Sequence, residues 1–458
     1  MAATPFPGLS LAPFRGLRFT SSDRELGSLL CPPYDVIDAD ARAALIAANP
    51  HNAVRVVLPE LPGDGTTENE AATPAAASDA GSVPEPAPAP APAPAPENEY
   101  TYAAALLDRW VDDGTLAVDA EPALYVYELS DGTDAAGAST RGLLGAIELR
   151  DPADGVILPH ENTMAGPVAD RLALMEATQA NLEPIYLVYD GGGAASDAVA
   201  SAGTATAPGA IATATTPDGV VHRLWAITDP SVIAAVAADL SQRRALIADG
   251  HHRYATYRQL AERRHRTDGA GPWDRGLALL VDSSTYGPQV HAIHRVVPNL
   301  SFADATRQAR SLFTVAEVPD LDDALLRLDS GASGFTVVVT DGVHSAVVTE
   351  PDPDARAQAV HGSEPTALLE LDVTVLHRIL VERAWQLRDD EATVRYAHSV
   401  TDAVSAATST NGIAVLLRPT PVAAVAAVAA AGARMPRKST FFTPKPASGL
   451  VMRRFADE

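Results

Sequence analysis

The chain has 458 residues, 47% hydrophobic and 20% charged, with a formal net charge of −24 from 58 acidic and 34 basic side chains. This composition excludes wholesale disorder and allows two or three domain-sized units. So negative a surface repels phosphate backbones and anionic membranes, so neither nucleic acid nor membrane is an expected partner, and the single cysteine, Cys31, excludes an internal disulfide framework.

Met1 to Pro5 lack the basic start and apolar core of a secretory signal. The longest small-apolar run, residues 422–431, is far short of a bilayer span. A cytoplasmic protein is the expectation. After Cys31, the pair Pro32-Pro33 fixes a rigid turn that holds Tyr34 and Asp35 in set directions. Asp35 is a candidate base or metal ligand; the alternative is a structural turn, with Asp35 or Asp38 capping a helix over 40–48. Residues 54–58 read as a strand. Residues 62–99 are low complexity, mostly alternating Pro and Ala from Pro84 to Pro96, and read as a disordered insertion. The remainder divides accordingly: residues 1–61 precede the insertion and residues 100–458 carry on the same domain.

Past the insertion, spacing predicts an amphipathic helix over 100–112, with Tyr102, Leu106, Leu107 and Trp110 on one side. Residues 123–129 and 142–149 read as a strand hairpin, and 185–189 as a buried strand. His160-Glu161-Asn162-Thr163 lies between a strand and a helix over 168–180 that carries Asp170-Arg171. His160 and Glu161 side by side suit an acid/base pair or metal ligands; the alternative is a capping loop. Residues 191–218 are rich in Gly, Ala, Ser and Thr and read as a mobile loop.

Residues 221–227 read as a strand, and Asp229-Pro230 opens a helix to about residue 241. The sharpest segment follows. Strand 245–248 runs into Asp249-Gly250-His251-His252-Arg253, and a helix begins near His252. A new helix presents free backbone N–H groups and the positive end of its dipole, Gly permits close approach, and Arg can grip a phosphate with two parallel bonds. That pattern is a phosphate or carboxylate cradle. The competing reading is a capped helix start with two surface histidines. On the cradle reading, Arg253→Ala is expected to abolish ligand binding and leave the fold intact.

Residues 276–282 and 290–297 read as further strands, the second carrying His291 and His294 as packing residues. Thr420-Pro421 reads as cap and first residue of a helix over 422–431. Then come Met435-Pro436-Arg437-Lys438-Ser439-Thr440 and Pro444-Lys445. Lys438 and Lys445 are the only lysines; every other basic residue is arginine. A lysine kept against such a bias is a candidate for chemistry, and lysine meets phosphate as a mobile point charge. The alternative is a solvated terminal strand. Walker, Gly-x-Gly-x-x-Gly and Gly-x-Ser-x-Gly motifs are all missing. The sum is an α/β or α+β chain, a mixed sheet with flanking helices.

Pro32-Pro33-Tyr34-Asp35-Val36-Ile37, His160-Glu161-x-Thr163 with Asp170-Arg171 and residues 181–185, the segment 248–254, and Met435-Pro436-x-Lys438-Ser439-Thr440 with Pro444-Lys445 together resemble the uncharacterised "domain of unknown function 1015" family, in its order and over nearly the whole chain. That resemblance carries no activity. The Asp249-Gly250-His251-His252-Arg253 turn is also similar to that of the ParB/sulfiredoxin-like superfamily, which includes free-serine kinases. This second resemblance implies a related core in which the turn holds nucleotide phosphates.

The resulting expectation is an enzyme that transfers or hydrolyses a phosphoryl group, on a small substrate such as serine or phosphoserine. ATP or ADP with Mg2+ is the expected cofactor. Asp249, Gly250, His251, His252, Arg253, Lys438, Ser439 and Thr440 would bind it. Glu161 or Asp35 would serve as base or metal ligand, with His160 or His252 as proton carrier. Two rivals stand beside it: a non-catalytic phosphometabolite sensor, and a metal-dependent hydrolase using His160, Glu161, His251 and His252.

Overall fold

A computed structural model describes residues 8–61, 97–131, 139–204, 209–330, 334–359, 364–390 and 392–458. Two sheets organise them. The larger has nine strands in mixed orientation. At its centre Ile185–Tyr189 runs parallel to Arg275–Asp282 and antiparallel to Ala245–Asp249. Ala245–Asp249 in turn runs parallel to Ile157–Leu158. On the other side Arg275–Asp282 pairs with Ser139–Glu148, which pairs with Leu124–Asp131 as the sequence predicts for a hairpin. The second sheet is a six-stranded antiparallel one within residues 294–416, flanked by Phe302–Ala309, Leu321–Asp329 and Val400–Ser409. The expected mixed sheet with flanking helices is what forms.

One apolar core joins the two sheets: Leu158, Leu246 and Leu279 from the first belong to the same buried cluster as Val339 and Val415 from the second and Met435 and Phe442 from the last segment. That last segment then returns to the first sheet. Cys31 and Ser448 form a bridge, Leu17 pairs with Met452, and Arg453 pairs with Asn181. This return brings the end of the chain beside its beginning.

Several local expectations are corrected. Val54–Val57 is a helical turn, not a strand. The β-branched run is overridden by Asn52, a buried amide that accepts from Val54 N (2.9 Å) and donates to the Ser28 and Leu30 carbonyls (2.8 Å each). The segment read as a loop over 191–218 contains the helix Gly193–Ser201 and the strand Ala212–Thr215. Its small residues let that helix pack closely against Pro230–Leu240, and Asp239 accepts from Ala195 N at its first turn (2.9 Å). Residues 290–297 are not one strand: Gln289–His291 pairs with Phe441–Thr443, whereas His294–Val297 enters the second sheet. Pro421, not Thr420, holds the cap position of Val422–Ala430, and the Thr420 hydroxyl turns to the Ser439 carbonyl (3.4 Å). The Pro/Ala stretch over 62–96 lies outside the described residues. Among the described residues no helix is long and apolar enough to cross a membrane.

Candidate functional site

The strand Ala245–Asp249 ends in a register shift against Ile185–Tyr189, which re-aims Asp249. Gly250 follows at φ +91°, a left-handed conformation that L side chains avoid, and a Cβ there would stand 3.1 Å from Arg253 Nε. Gly250→Ala is therefore expected to cost about 1–3 kcal/mol of stability, read by urea unfolding; an unchanged midpoint would contradict it. The helix His251–Thr267 starts at once, and no side chain caps it. The first backbone N–H with a partner is that of Tyr254, bonded to Gly250 O. The N–H groups of His251, His252 and Arg253 are the ordinary orphans of a helix start.

The four motifs separated in sequence meet here. Lys445 Nζ donates to Asp249 Oδ1 (2.5 Å) and to Asp35 Oδ2 (3.5 Å). Asp35 sits on the 3₁₀ turn Tyr34–Val36. That turn is fixed by Glu183, a buried carboxylate that accepts from Tyr34 N (3.0 Å) and Ser448 Oγ (2.9 Å), while the Arg171 guanidinium lies 4.3 Å over the Tyr34 ring. Met435 N donates to His160 O (2.8 Å), which docks the lysine segment onto the His160 loop. Thr440 Oγ1 bonds His160 Nε2 (3.0 Å). Met164 N donates to His252 Nε2 (3.1 Å), so neutral His252 carries its proton on Nδ1.

Charges at the centre are unevenly paired. Arg253 is 4% exposed, and its guanidinium donates to Asp249 and to the Pro184 carbonyl. It is a brace for Asp249, not the free fork expected from sequence, and the expectation that Arg253→Ala leaves the fold intact is corrected accordingly. Lys438 is different. It is exposed, adopts φ +53°, and makes no hydrogen bond or ion pair among the described residues. Its charge reaches Asp35, Glu161 and His252. Arg434, next to His160 and His251, donates among the described residues to the Ala433 carbonyl alone (3.2 Å). Three cations, Lys445, Arg253 and Lys438, act on Asp35, and Arg253 is shared with Glu183 and Asp249.

Burial, with some help from Asp249, pushes the Glu161 carboxyl up to about 7 against the opposing charges of Lys438 and Lys445. Asp35 moves the other way: burial would raise it, but Lys445, Arg253 and Lys438 outweigh that and hold it below the usual range. The sign for stability follows. Between the ordinary glutamate value of 4.5 and about 7, the unfolded chain gives up the Glu161 proton while the folded chain keeps it. Stability therefore falls as pH rises through that window. Glu161→Gln removes the penalty, so above pH 7 the variant is expected to be more stable than the parent by about 1–3 kcal/mol, with the gain vanishing below about pH 4.5. Urea unfolding across that range checks it.

Other assignments change. His160 is fully buried and burial lowers it to about 4. It is a neutral scaffold residue joining Met435, His251 and Thr440, not a proton carrier. His251, buried, accepts from His160 N (3.3 Å) with its Nε2, so that lone pair is unavailable to a metal. Ser439 is buried and its hydroxyl turns back to the Pro436 carbonyl (2.5 Å). No group of three or more His, Cys, Asp or Glu side chains among the described residues is arranged to hold a metal ion. Asp35 and Asp249 converge instead on the Lys445 ammonium, in the place a cation would take. This donor set does not fit a protein-held metal such as Mg2+ at Asp35 and Glu161, nor the His160–Glu161–His251–His252 hydrolase. Sequence reasoning listed Lys445 in a motif but missed it as the hub, although its rarity was a signal. Glu183 lay within the 181–185 motif without being given a role, and Arg434 gave no signal of its own.

No curated protein matches the chain. Among solved structures, a free serine kinase variant in complex with ADP is similar at 11% identity and a TM-score of 0.34, with 63% of this chain and 84% of that one covered. SbnI with a C-terminal truncation, from Staphylococcus aureus, is similar at 11% identity and a TM-score of 0.35, covering 67% and 86%. A conserved hypothetical protein from Pyrococcus furiosus is similar at 14% and 0.30, covering 63% and 88%. Likenesses this distant carry no weight for the chemistry. The sequence profile described as "Protein of unknown function (DUF1015)" matches residues 11–80 and 82–374.

Proposed function

The chain belongs to the DUF1015 family, and we propose that it binds a nucleotide such as ATP or ADP by its phosphates and transfers a phosphoryl group to or from a small hydroxyl-bearing substrate such as serine. The observation that carries this reading is the meeting of an uncapped helix start with the only two lysines of the chain, one of them unpaired. Backbone N–H groups and the helix dipole favour an anion at residues 251–253. Lys438 adds a mobile charge, and Lys445 and Arg253 neutralise Asp249, which would otherwise repel the ligand.

Glu161 supplies the base. Its carboxyl titrates near neutral pH, where a proton acceptor combines availability with driving force. In transfer to a hydroxyl, the acceptor oxygen bonds phosphorus as the bond to the leaving phosphate oxygen breaks, and the hydroxyl proton passes to Glu161. Lys438 and the N–H groups of the turn balance the charge on the phosphoryl oxygens. His252, half-buried with its proton on Nδ1, serves as a neutral hydrogen-bond donor.

Lys438→Ala is the test. Lys438 has no hydrogen-bond or ion-pair partner to lose among the described residues, so the melting temperature without ligand is expected to stay put. The thermal shift produced by pyrophosphate or ADP is expected to shrink, with affinity down about 10-fold or more, as for a charge-assisted contact of roughly 1.5–3 kcal/mol. Undiminished binding would remove Lys438 from the site.

A further inference from the structure

Beside the phosphate site lies a cleft of about 430 Å³, within the range of about 300–1,000 Å³ typical of small-molecule pockets. Its walls include Pro33, Val36, Pro217, Phe441, Pro444 and Lys445. Lys445 is the same side chain that binds Asp249 (2.5 Å) and Asp35 (3.5 Å). Cleft and phosphate site are therefore contiguous across one residue.

The cleft presents apolar surface because the polar groups behind it are already paired. Tyr127 Oη accepts from Ala447 N (3.1 Å) and bonds His222 Nδ1 (2.8 Å), while His222 Nε2 bonds Thr216 Oγ1 (3.1 Å). Val36 is 49% exposed at its mouth, a large side chain left in water by the protein alone. Prolines hold two of the walls rigid, and Phe441, whose ring is held by His398 (centroids 4.6 Å apart), adds aromatic surface to the lining. One polar group stands at the rim. Asp218 is exposed, lines the cleft, and accepts from Thr216 Oγ1 (2.5 Å) and Val220 N (3.4 Å) with one oxygen, Oδ1, with no cation beside it among the described residues.

We propose that this cleft takes the base of the nucleotide, specifically an amine-bearing base such as adenine. The flat apolar walls receive the ring, the Asp218 carboxylate accepts from the exocyclic amine, and the phosphates run past Lys445 to Lys438 and the start of the helix. This rests on the phosphate reading given above and adds to it the group that the phosphates carry. A bare serine or phosphoserine would leave the apolar walls unfilled.

The experiment is calorimetric titration of the full chain with ADP, inosine 5′-diphosphate and pyrophosphate, each against the parent, Val36→Trp and Asp218→Ala. Both positions are solvent-exposed and outside the phosphate-binding residues, and melting without ligand checks that each variant folds. ADP is expected to bind at least ~10-fold more tightly than pyrophosphate. Val36→Trp is expected to remove most of that advantage and leave pyrophosphate affinity unchanged. Asp218→Ala is expected to narrow the preference for ADP over inosine 5′-diphosphate, which lacks the amine. ADP binding no better than pyrophosphate would overturn the base pocket and leave the phosphate reading standing. An ADP advantage untouched by both variants would place the base elsewhere and also overturn it. Silence from all three ligands would bring down the phosphate reading and this inference together.

Discussion

Glu161→Gln is expected to lower phosphoryl-transfer turnover by about 10²–10⁴-fold while leaving affinity for ADP or pyrophosphate nearly unchanged. Glutamine keeps the size of the side chain and its place beside Lys438 and Asp249, so what is lost is proton acceptance. The pH profile gives the same assignment independently. Burial holds the Glu161 carboxyl up at about 7, so kcat/KM of the parent rises with pH through that value as the proton leaves. The residual activity of the Gln variant lacks that inflection. The measurement is phosphate or nucleoside-diphosphate release from nucleotide, in the presence of candidate hydroxyl acceptors. A sensor that only binds would lose neither binding nor signalling on this change. Turnover that survives Glu161→Gln would remove Glu161 as the base.

Arg253→Ala is expected to cost about 3–5 kcal/mol of folding stability, because it removes the buried cation shared by Asp249, Glu183 and Asp35 and leaves these carboxylates with too little compensating charge. Arg253 is 4% exposed, donates to Asp249 and the Pro184 carbonyl, and feels Glu183 and Asp35 as well. Without it, Asp249 keeps only Lys445, and the Pro184 carbonyl loses its donor. Ligand binding then falls as a consequence of a loosened turn. Urea unfolding measures the loss. A variant that unfolds with the parent yet no longer binds phosphate would mean that the guanidinium faces the ligand directly.

Much of the site was legible because its parts are local. An apolar strand, an Asp-Gly turn and a helix start are adjacent in sequence, and their backbone geometry follows from glycine at φ +91°. The two lysines stood out against a background of arginine. What was not legible is which partner each charge takes. Asp249 and Arg253 are four residues apart across the turn, a spacing that permits an ion pair. Sequence cannot weigh that pair against a phosphate, which decides between a brace and a fork. His160 and Glu161 are neighbours with opposite fates. His160 is fully buried against His251 and Phe442, whereas Glu161 lies at the half-buried edge between the lysines. Adjacent positions leaving a strand face different surroundings, and only the packing says which. The strand misread over 54–58 has the same origin: a single buried amide, Asn52, outweighs the β-propensities of three valines.

The most direct test of the central claim is a thermal-shift titration of the full chain with pyrophosphate and ADP, run in parallel on the parent and Lys438→Ala. A ligand that binds only the folded chain raises the melting temperature by about 2.7 kcal/mol worth of stabilisation at 100 times its dissociation constant. The account predicts a saturable rise in the parent and a much smaller one in the variant, with the two proteins melting alike when no ligand is present. No rise in the parent with either compound would contradict the phosphate site itself.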